Sequence, residues 1–312
     1  MYSAHVKILK VSCLGLCLLL LTGLPPLCPA QEIEARRWSH LPTDSNFAGG
    51  VYSYTEAEIY FDPVLQIKNA QMEMNTWAFR YIRTLELMHK SARIEFTQGF
   101  QEGKWSGLLS DVATSISRRG LTDSQLRFAL NLYGAPPLKG EEFAAYHAKA
   151  NVETIIGTGL VVHLPTGDYM DDKLINLGSN RYTFRPQIGL VHNRGPWALE
   201  LTGDVWLYTD NKDFIIQNTL KQDPLYTLQM HLVHTFRPGF WAAGSIGYAY
   251  GGESAVNGED KNDLKENLVW AISLGCPITR QVGVKVIYLG TRTQQSLGQD
   301  SDSIAVSFSF LW

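Results

Sequence analysis

Ser303-Ile304-Ala305-Val306-Ser307-Phe308-Ser309-Phe310-Leu311-Trp312 ends the sequence, and its alternation decides how the rest is read. Ile304, Val306, Phe308, Phe310 and Trp312 share one parity; Ser303, Ala305, Ser307, Ser309 and Leu311 share the other. Successive side chains of a strand point to opposite faces, so one face here is apolar and aromatic and the other small and mostly polar. The pattern recurs upstream. Leu199, Leu201, Gly203, Val205 and Leu207 oppose Glu200, Thr202, Asp204 and Trp206, while Tyr226, Leu228, Met230, Leu232 and Phe236 oppose Thr227, Gln229, His231 and Thr235. Leu126, Phe128, Leu130 and Leu132 form another apolar set, as do Leu268, Trp270, Ile272 and Leu274, and Val282, Val284, Val286 and Tyr288.

Twelve such segments can be placed, near residues 47–58, 72–85, 91–105, 123–133, 153–165, 182–192, 197–209, 225–236, 240–250, 267–277, 282–291 and 302–312. The number is even, and most have the roughly 9–11 residues that a tilted strand needs to cross a bilayer. Their connections alternate between short (86–90, 193–196, 237–239, 279–281) and long (59–71, 106–122, 166–181, 210–224, 251–266, 291–301). Short periplasmic turns and long external loops are the rule for outer-membrane barrels. One connection departs from it, 134–152, which is long on the short side and carries a short amphipathic helix over 141–150. The face opposite the apolar one carries Arg80, Arg93, Glu95, Arg127, Arg185, Glu200, Asp204, His231 and Lys285. A β-sandwich core would not bury these charges cheaply, whereas a hydrogen-bonded or wet lumen accommodates them. The reading is therefore all-β: a twelve-stranded antiparallel up-and-down transmembrane β-barrel of the outer membrane. Twelve strands leave a narrow lumen, between filled eight-stranded barrels and wide porins.

Composition agrees. The chain has 312 residues, 27 Lys and Arg against 30 Asp and Glu, and a net charge of −3, which gives no grip on nucleic acid. Hydrophobic residues at 45%, charged residues at 18% and a mean hydropathy of −0.10 are too apolar for disorder and too polar for a bundle of membrane helices. Lys7 and Lys10, the apolar run 11–24 and the Cys28-Pro29-Ala30 end predict a cleaved signal peptide over 1–30, placing the mature chain beyond the inner membrane of a Gram-negative cell. Cleavage leaves Cys276 as the one cysteine, so no intramolecular disulfide staples the fold. Residues 31–46 are not strand-like; with Arg36, Arg37, Trp38 and His40 they are read as a periplasmic segment or plug, and 47–312 as the barrel.

Catalytic and metal constellations are missing from this reading. His231 and His234 are three apart, which puts them on opposite faces of a strand, so no metal site and no cofactor is assigned. No nucleophile elbow occurs, and glycine pairs such as Gly49-Gly50 and Gly251-Gly252 precede no helix that could cradle phosphate. The lumen charges are the selectivity candidates, with Glu200 and Asp204 as an acidic patch facing Arg80, Arg93, Arg127 and Arg185. Trp77, Tyr81, Trp105, Trp197, Tyr208, Trp241, Tyr248, Tyr250 and Trp312 are expected as interfacial girdles. Gln98 breaks the lipid-facing parity of Ala92, Ile94 and Phe96.

Several stretches also carry a family resemblance. These are Ala35-Arg36-Arg37-Trp38-Ser39-His40-Leu41-Pro42, Phe61-Asp62-Pro63, Ser91-Ala92-Arg93, Gly103-Lys104-Trp105-Ser106-Gly107 and Leu174-Ile175-Asn176-Leu177-Gly178. Others are Phe184-Arg185-Pro186, Trp206-Leu207-Tyr208-Thr209-Asp210-Asn211, Gln222-Asp223-Pro224-Leu225-Tyr226 and Phe236-Arg237-Pro238-Gly239. With them the chain resembles the outer-membrane transporter family named for the meta-pathway of phenol degradation. The resemblance implies a porin-like channel that passes small solutes, hydrophobic or aromatic compounds among them, by passive diffusion, and it brings no catalytic residue. Phe308, Phe310 and Trp312 resemble the terminal signature read by the barrel assembly machinery. The expected partners are that machinery, outer-membrane lipid and a small-molecule solute. Two other readings fit the pattern: a closed structural or interaction barrel acting through its external loops, and an outer-membrane lipid-modifying enzyme that would lose turnover on mutation of His163 or His231.

Overall fold

A computed structural model describes residues 33–62 and 65–312. The signal-peptide expectation over 1–30 lies outside the described residues. In chain order the strands begin with β1 (Asn46–Tyr60), β2 (Ile67–Leu87), β3 (Lys90–Leu109), β4 (Val112–Leu121) and β5 (Ser124–Tyr133). Helix α1 (Gly140–Lys149) follows, then β6 (Val152–Leu164), β7 (Thr183–Arg194) and β8 (Trp197–Tyr208). After β9 (Asn211–Phe214) and β10 (Asn218–Gln222) come β11 (Leu225–Arg237), β12 (Phe240–Gly251), β13 (Ser254–Val256) and β14 (Glu259–Asp260). The chain ends with β15 (Lys265–Pro277), β16 (Val282–Thr293) and β17 (Gly298–Leu311).

Twelve of these strands close into one antiparallel ring: β1, β2, β3, β5, β6, β7, β8, β11, β12, β15, β16 and β17. Closure is made by β1, which pairs on one side with β17 (Tyr52 opposite Val306) and on the other with β2 (Tyr52 opposite Trp77). A closed ring satisfies every wall N–H and C=O between strands, which is the condition for crossing lipid without helices. The parity read from the sequence holds around the ring. Leu228 and Ile272 face outward with about 60% of their surface exposed, while Thr227, Gln229, His231 and Ser273 are buried inside. Turns such as the one holding Gly195 (φ +57°) stand at the end where both termini of the wall meet, so that end is periplasmic.

The structure departs from the sequence reading at the opposite end. Residues 106–122 are not a loop: β3 runs past the ring and folds back as β4, with Trp105 opposite Ile116. Ser110 and Asp111 both take positive φ (49° and 65°), as a type I′ hairpin turn requires, and Val112 and Ile116 supply β-forming residues. The expected loops 210–224 and 251–266 likewise hold short strands, and β10 pairs with β13 to tie the two loops into one four-stranded sheet. Gln98 stands where β3 changes partner from β5 to β4. Its amide donates to Thr122 O at 2.8 Å and its oxygen accepts from Ser124 Oγ at 2.5 Å, so the parity break serves a strand junction.

Six of the nine expected girdle residues face outward: Trp77, Tyr81, Trp197, Tyr248, Tyr250 and Trp312. Trp105, Tyr208 and Trp241 face inward and correct that expectation. Strand-end position suits a girdle residue, but parity decides the face: Trp241 shares the inward parity of Ala243 and Ala249, and Trp105 lies over the bare backbone of Gly103.

Candidate functional site: the lumen and the segment inside it

The chain enters the lumen from the periplasmic rim. Asn46 and Trp312 exchange backbone hydrogen bonds (2.9 and 3.1 Å), and Thr43 N donates to Leu138 O at 2.8 Å. Thr84 Oγ1 then donates to Pro42 O at 2.7 Å, and from there the segment turns inward. His40 is buried beside Glu153 at the start of β6 (Nδ1 to Oε1 3.2 Å).

Trp38, 1% exposed, is the deepest anchor of the segment. Its indole lies on a floor of inward glycines, Gly157, Gly159 and Gly189, and a Cβ built on Gly189 would stand 2.2 Å from the ring. Flat strands without side chains are what allow an indole to approach the wall this closely. Trp38 Nε1 donates to Thr202 Oγ1 at 2.9 Å, and the Arg127 guanidinium lies 4.7 Å from the ring centroid. Arg36 donates its backbone N–H to Glu200 at 2.7 Å and stacks 5.2 Å from the Trp241 ring, which explains why that tryptophan turned inward. Glu34 accepts from Arg80 at 3.0 Å and from Lys285 at 2.6 Å, bridging β2 and β16 over the intervening β1 and β17. Ile33 packs on an interior cluster of Trp206, Leu225, Ala249, Val269 and Ala271.

Charge complementarity holds this segment. Burial by itself would raise the Glu34 carboxyl, but Arg80, Lys285 and Arg37 overcome it and hold the group well below the usual carboxylate range. Burial lowers the Arg36 guanidinium from its ordinary value, and Glu200 offsets part of that. On the wall, Arg185 grips Asp204 with two bonds of 2.9 Å while Thr227 donates to the same carboxylate at 2.6 Å. Glu95 takes Arg93 at 2.9 Å and also Arg127, whose Nε donates to Gln187 Oε1 at 3.0 Å.

All nine lumen candidates, Arg80, Arg93, Glu95, Arg127, Arg185, Glu200, Asp204, His231 and Lys285, lie on inward parity, and eight of them bond one another or the segment. Asp204 bonds Arg185, whereas His231 bonds Ser245 (2.8 Å). Glu200 and Asp204 do not act as one patch: Thr202 stands between them and each has its own partner. His234 faces outward between Trp197 and Phe236, and His163 stacks 5.3 Å from Trp206. Phe308, Phe310 and Trp312 are exposed on the outer wall.

Glu34, Thr202 and the glycine floor escaped sequence reasoning. Glu34 had one available signal, an acidic residue two positions before the Arg36-Arg37 pair; nothing marks a strand glycine as the seat of a distant indole. The inner wall is also less uniformly polar than alternation suggested. In the outer half, Ile59, Met72 and Met74 cluster with Trp105, and Ile287, Leu289 and Tyr208 pack on the cluster that Ile33 touches.

A family model described as "Putative MetA-pathway of phenol degradation" matches residues 63–303. The chain belongs to that family. Its barrel is similar to the crystal structure of the COG4313 outer membrane channel from Pseudomonas putida F1, with a TM-score of 0.76 and 20% identity over 90% of this chain and 100% of that one. The transport unit of the autotransporter AIDA-I from Escherichia coli is more distant, with a TM-score of 0.52 and 7% identity over 95% of this chain and 97% of that one. No curated protein matches the chain. At these identities the likeness concerns the fold: a transmembrane barrel of the outer-membrane type, in a family named for phenol degradation. Both solved neighbours are described as transport proteins, not as enzymes.

Proposed function

We propose that the protein is an outer-membrane channel through which small apolar solutes, aromatic ones included, pass by passive diffusion, with residues 31–46 acting as its periplasmic plug. The observation that carries the reading is the pair of apolar clusters on the inner wall of the outer half of the lumen. Ile59, Met72, Met74, Trp105, Trp206, Leu225 and Val269 face inward there, where a water-filled pore presents polar side chains. A solute entering from outside meets this lining first and the Arg and Glu network around the segment second. Selection then works by apolar partition at the mouth and by the width left beside the plug.

Bacterial cells with intact lipopolysaccharide, expressing or lacking the barrel, provide the test. Expression should speed uptake of a toluene-sized aromatic, and the double variant Met72→Asp, Met74→Asp should abolish the gain while leaving the barrel folded. Equal uptake with and without the barrel, or the same gain for a sugar of similar size, would refute the reading. A closed interaction barrel is supported by the four-stranded sheet that locks two external loops together; it predicts no change in uptake and loss of a partner on deleting β13 and β14.

A further inference from the structure

The periplasmic rim holds a group of residues that the channel reading does not use. His40 of the inserted segment, His147 of α1 and Glu153 of β6 present Nδ1 or Nε2 atoms and a carboxylate oxygen that all lie within 4.8 Å of one another. His40 and Glu153 are buried, whereas His147 is exposed toward the periplasm.

The hydrogen bonds around His40 point to a cation. His40 Nε2 is 2.8 Å from Pro136 O, and a carbonyl only accepts, so Nε2 carries the proton. In the neutral ring the lone pair of Nδ1 then faces Glu153 Oε1 at 3.2 Å, and two acceptors meet with nothing between them. Either a second proton or a metal ion must stand on that line. Metal-bound histidines characteristically donate their other N–H to a backbone carbonyl, which is the arrangement His40 shows with Pro136. The carboxylate is oriented in the same way: Asn193 Nδ2 donates to Glu153 Oε2 at 3.1 Å and the Tyr146 hydroxyl of α1 donates to the same carboxylate, while Oε1 faces His40. His147 supplies the third ligand from a separate element, its ring centroid 4.9 Å from that of His40.

We propose that His40, His147 and Glu153 form a site for a borderline divalent transition cation, of which Zn2+ is the representative, with one position open to water. Two imidazoles and one carboxylate are a ligand set that zinc accepts, at bonds of about 2.0–2.1 Å. Ligand atoms in such a tetrahedron stand roughly 3.3 Å apart, so a spread of at most 4.8 Å closes by side-chain rotation alone. The bound ion ties the inserted segment to α1 and to the wall at the point where the segment enters the lumen. This also gives the long connection between β5 and β6 a purpose: it carries the third ligand. The site stands whether or not the barrel conducts, because its test reads metal and not flux.

The mature full-length protein, refolded in detergent and stripped with EDTA, is titrated with Zn2+ at pH 7.5 and with Co2+ as a spectroscopic stand-in. The expected result is one ion per chain and the visible absorption of four-coordinate Co2+. His147→Ala, on an exposed helix face, should weaken binding at least ~10-fold, and Glu153→Gln should do the same, while His192→Ala on the outer wall should change nothing. Zn2+ should also slow trypsin cleavage after Arg36 and Arg37. Absence of stoichiometric binding by the folded wild-type protein would overturn the proposal and leave His40 and Glu153 as a simple ion pair. Binding undiminished in His147→Ala would overturn it equally, and because that variant changes only a surface residue, the result does not depend on Glu153→Gln folding.

Discussion

Replacing Trp38 with alanine should release the inserted segment without opening the barrel wall. An aromatic side chain of this size buries about 150–250 Å², which at about 25 cal/mol per Å² corresponds to roughly 4–6 kcal/mol. Alanine keeps part of that contact, so the loss is about 3–5 kcal/mol, in line with large-to-small substitutions at other buried aromatics. The bond to Thr202 and the stacking of Arg127 disappear with the ring. At 1.4 kcal/mol per tenfold, the ratio of displaced to inserted segment rises by about two to three and a half orders of magnitude. The Glu34 ion pairs with Arg80 and Lys285 remain, so the segment still returns. Single-channel recordings should therefore show frequent openings from a quiet baseline, and trypsin should gain access to Arg36 and Arg37. If the variant, with heat-modifiable gel mobility proving that it is folded, kept the wild-type conductance and the wild-type protection, the energetic role assigned to Trp38 would be refuted.

Three further outcomes follow from the same geometry. Gly189→Ala places a methyl where the Trp38 ring lies, at 2.2 Å, and should reproduce the openings of Trp38→Ala from the wall side; unchanged recordings would show that the indole shifts at no cost. Asp204→Asn strips the charge partner from an Arg185 whose side chain is 1% exposed, so unfolding should move to milder conditions by about 3–5 kcal/mol, measured as the midpoint of urea-induced loss of heat-modifiable mobility; an unshifted midpoint would mean that Thr227 and the ring of Trp206 suffice. Because the inserted Glu34 carboxyl is held below its free value, the inserted state binds fewer protons, and its contribution is complete above about pH 4.3 and lost as pH falls through the lowered value. Trypsin is poorly suited to that range, so protection of the segment is read with pepsin or another acid-active protease: it should hold at pH 5 and weaken progressively as pH falls below the free carboxylate value of about 4.3 toward the lowered one, and Glu34→Gln should remove this dependence.

Much of the wall was legible because lipid imposes a period of two with no exceptions for water-filled defects. Val282, Val284 and Val286 or Leu228, Met230 and Leu232 admit one orientation only, and a one-residue slip would bury the wrong face. The external end was less legible. Residues 112–121 lie beyond the bilayer, where no solvent boundary enforces alternation, so a polar hairpin such as β4 reads as a loop. The same holds for aromatic residues at strand ends: Trp241 and Tyr208 look like girdle residues by position, and only parity against Ala243 or Trp206 reveals the inward face that Arg36 and Arg181 occupy. The charged lumen set was visible residue by residue, because buried charge on one parity has few explanations. Its pairing was not, since Glu34 with Lys285 and Trp38 with Thr202 are separated by 251 and 164 positions and depend on where the segment threads.

Whether the inserted segment fills an otherwise passable lumen is read most directly by planar-bilayer conductance of the folded barrel with and without residues 31–45. The intact chain should give small or intermittent currents, and removal of the segment should give large steady steps, with Asn46 and Trp312 still closing the wall. Equal conductance of the two folded proteins would contradict the role of the segment as a plug.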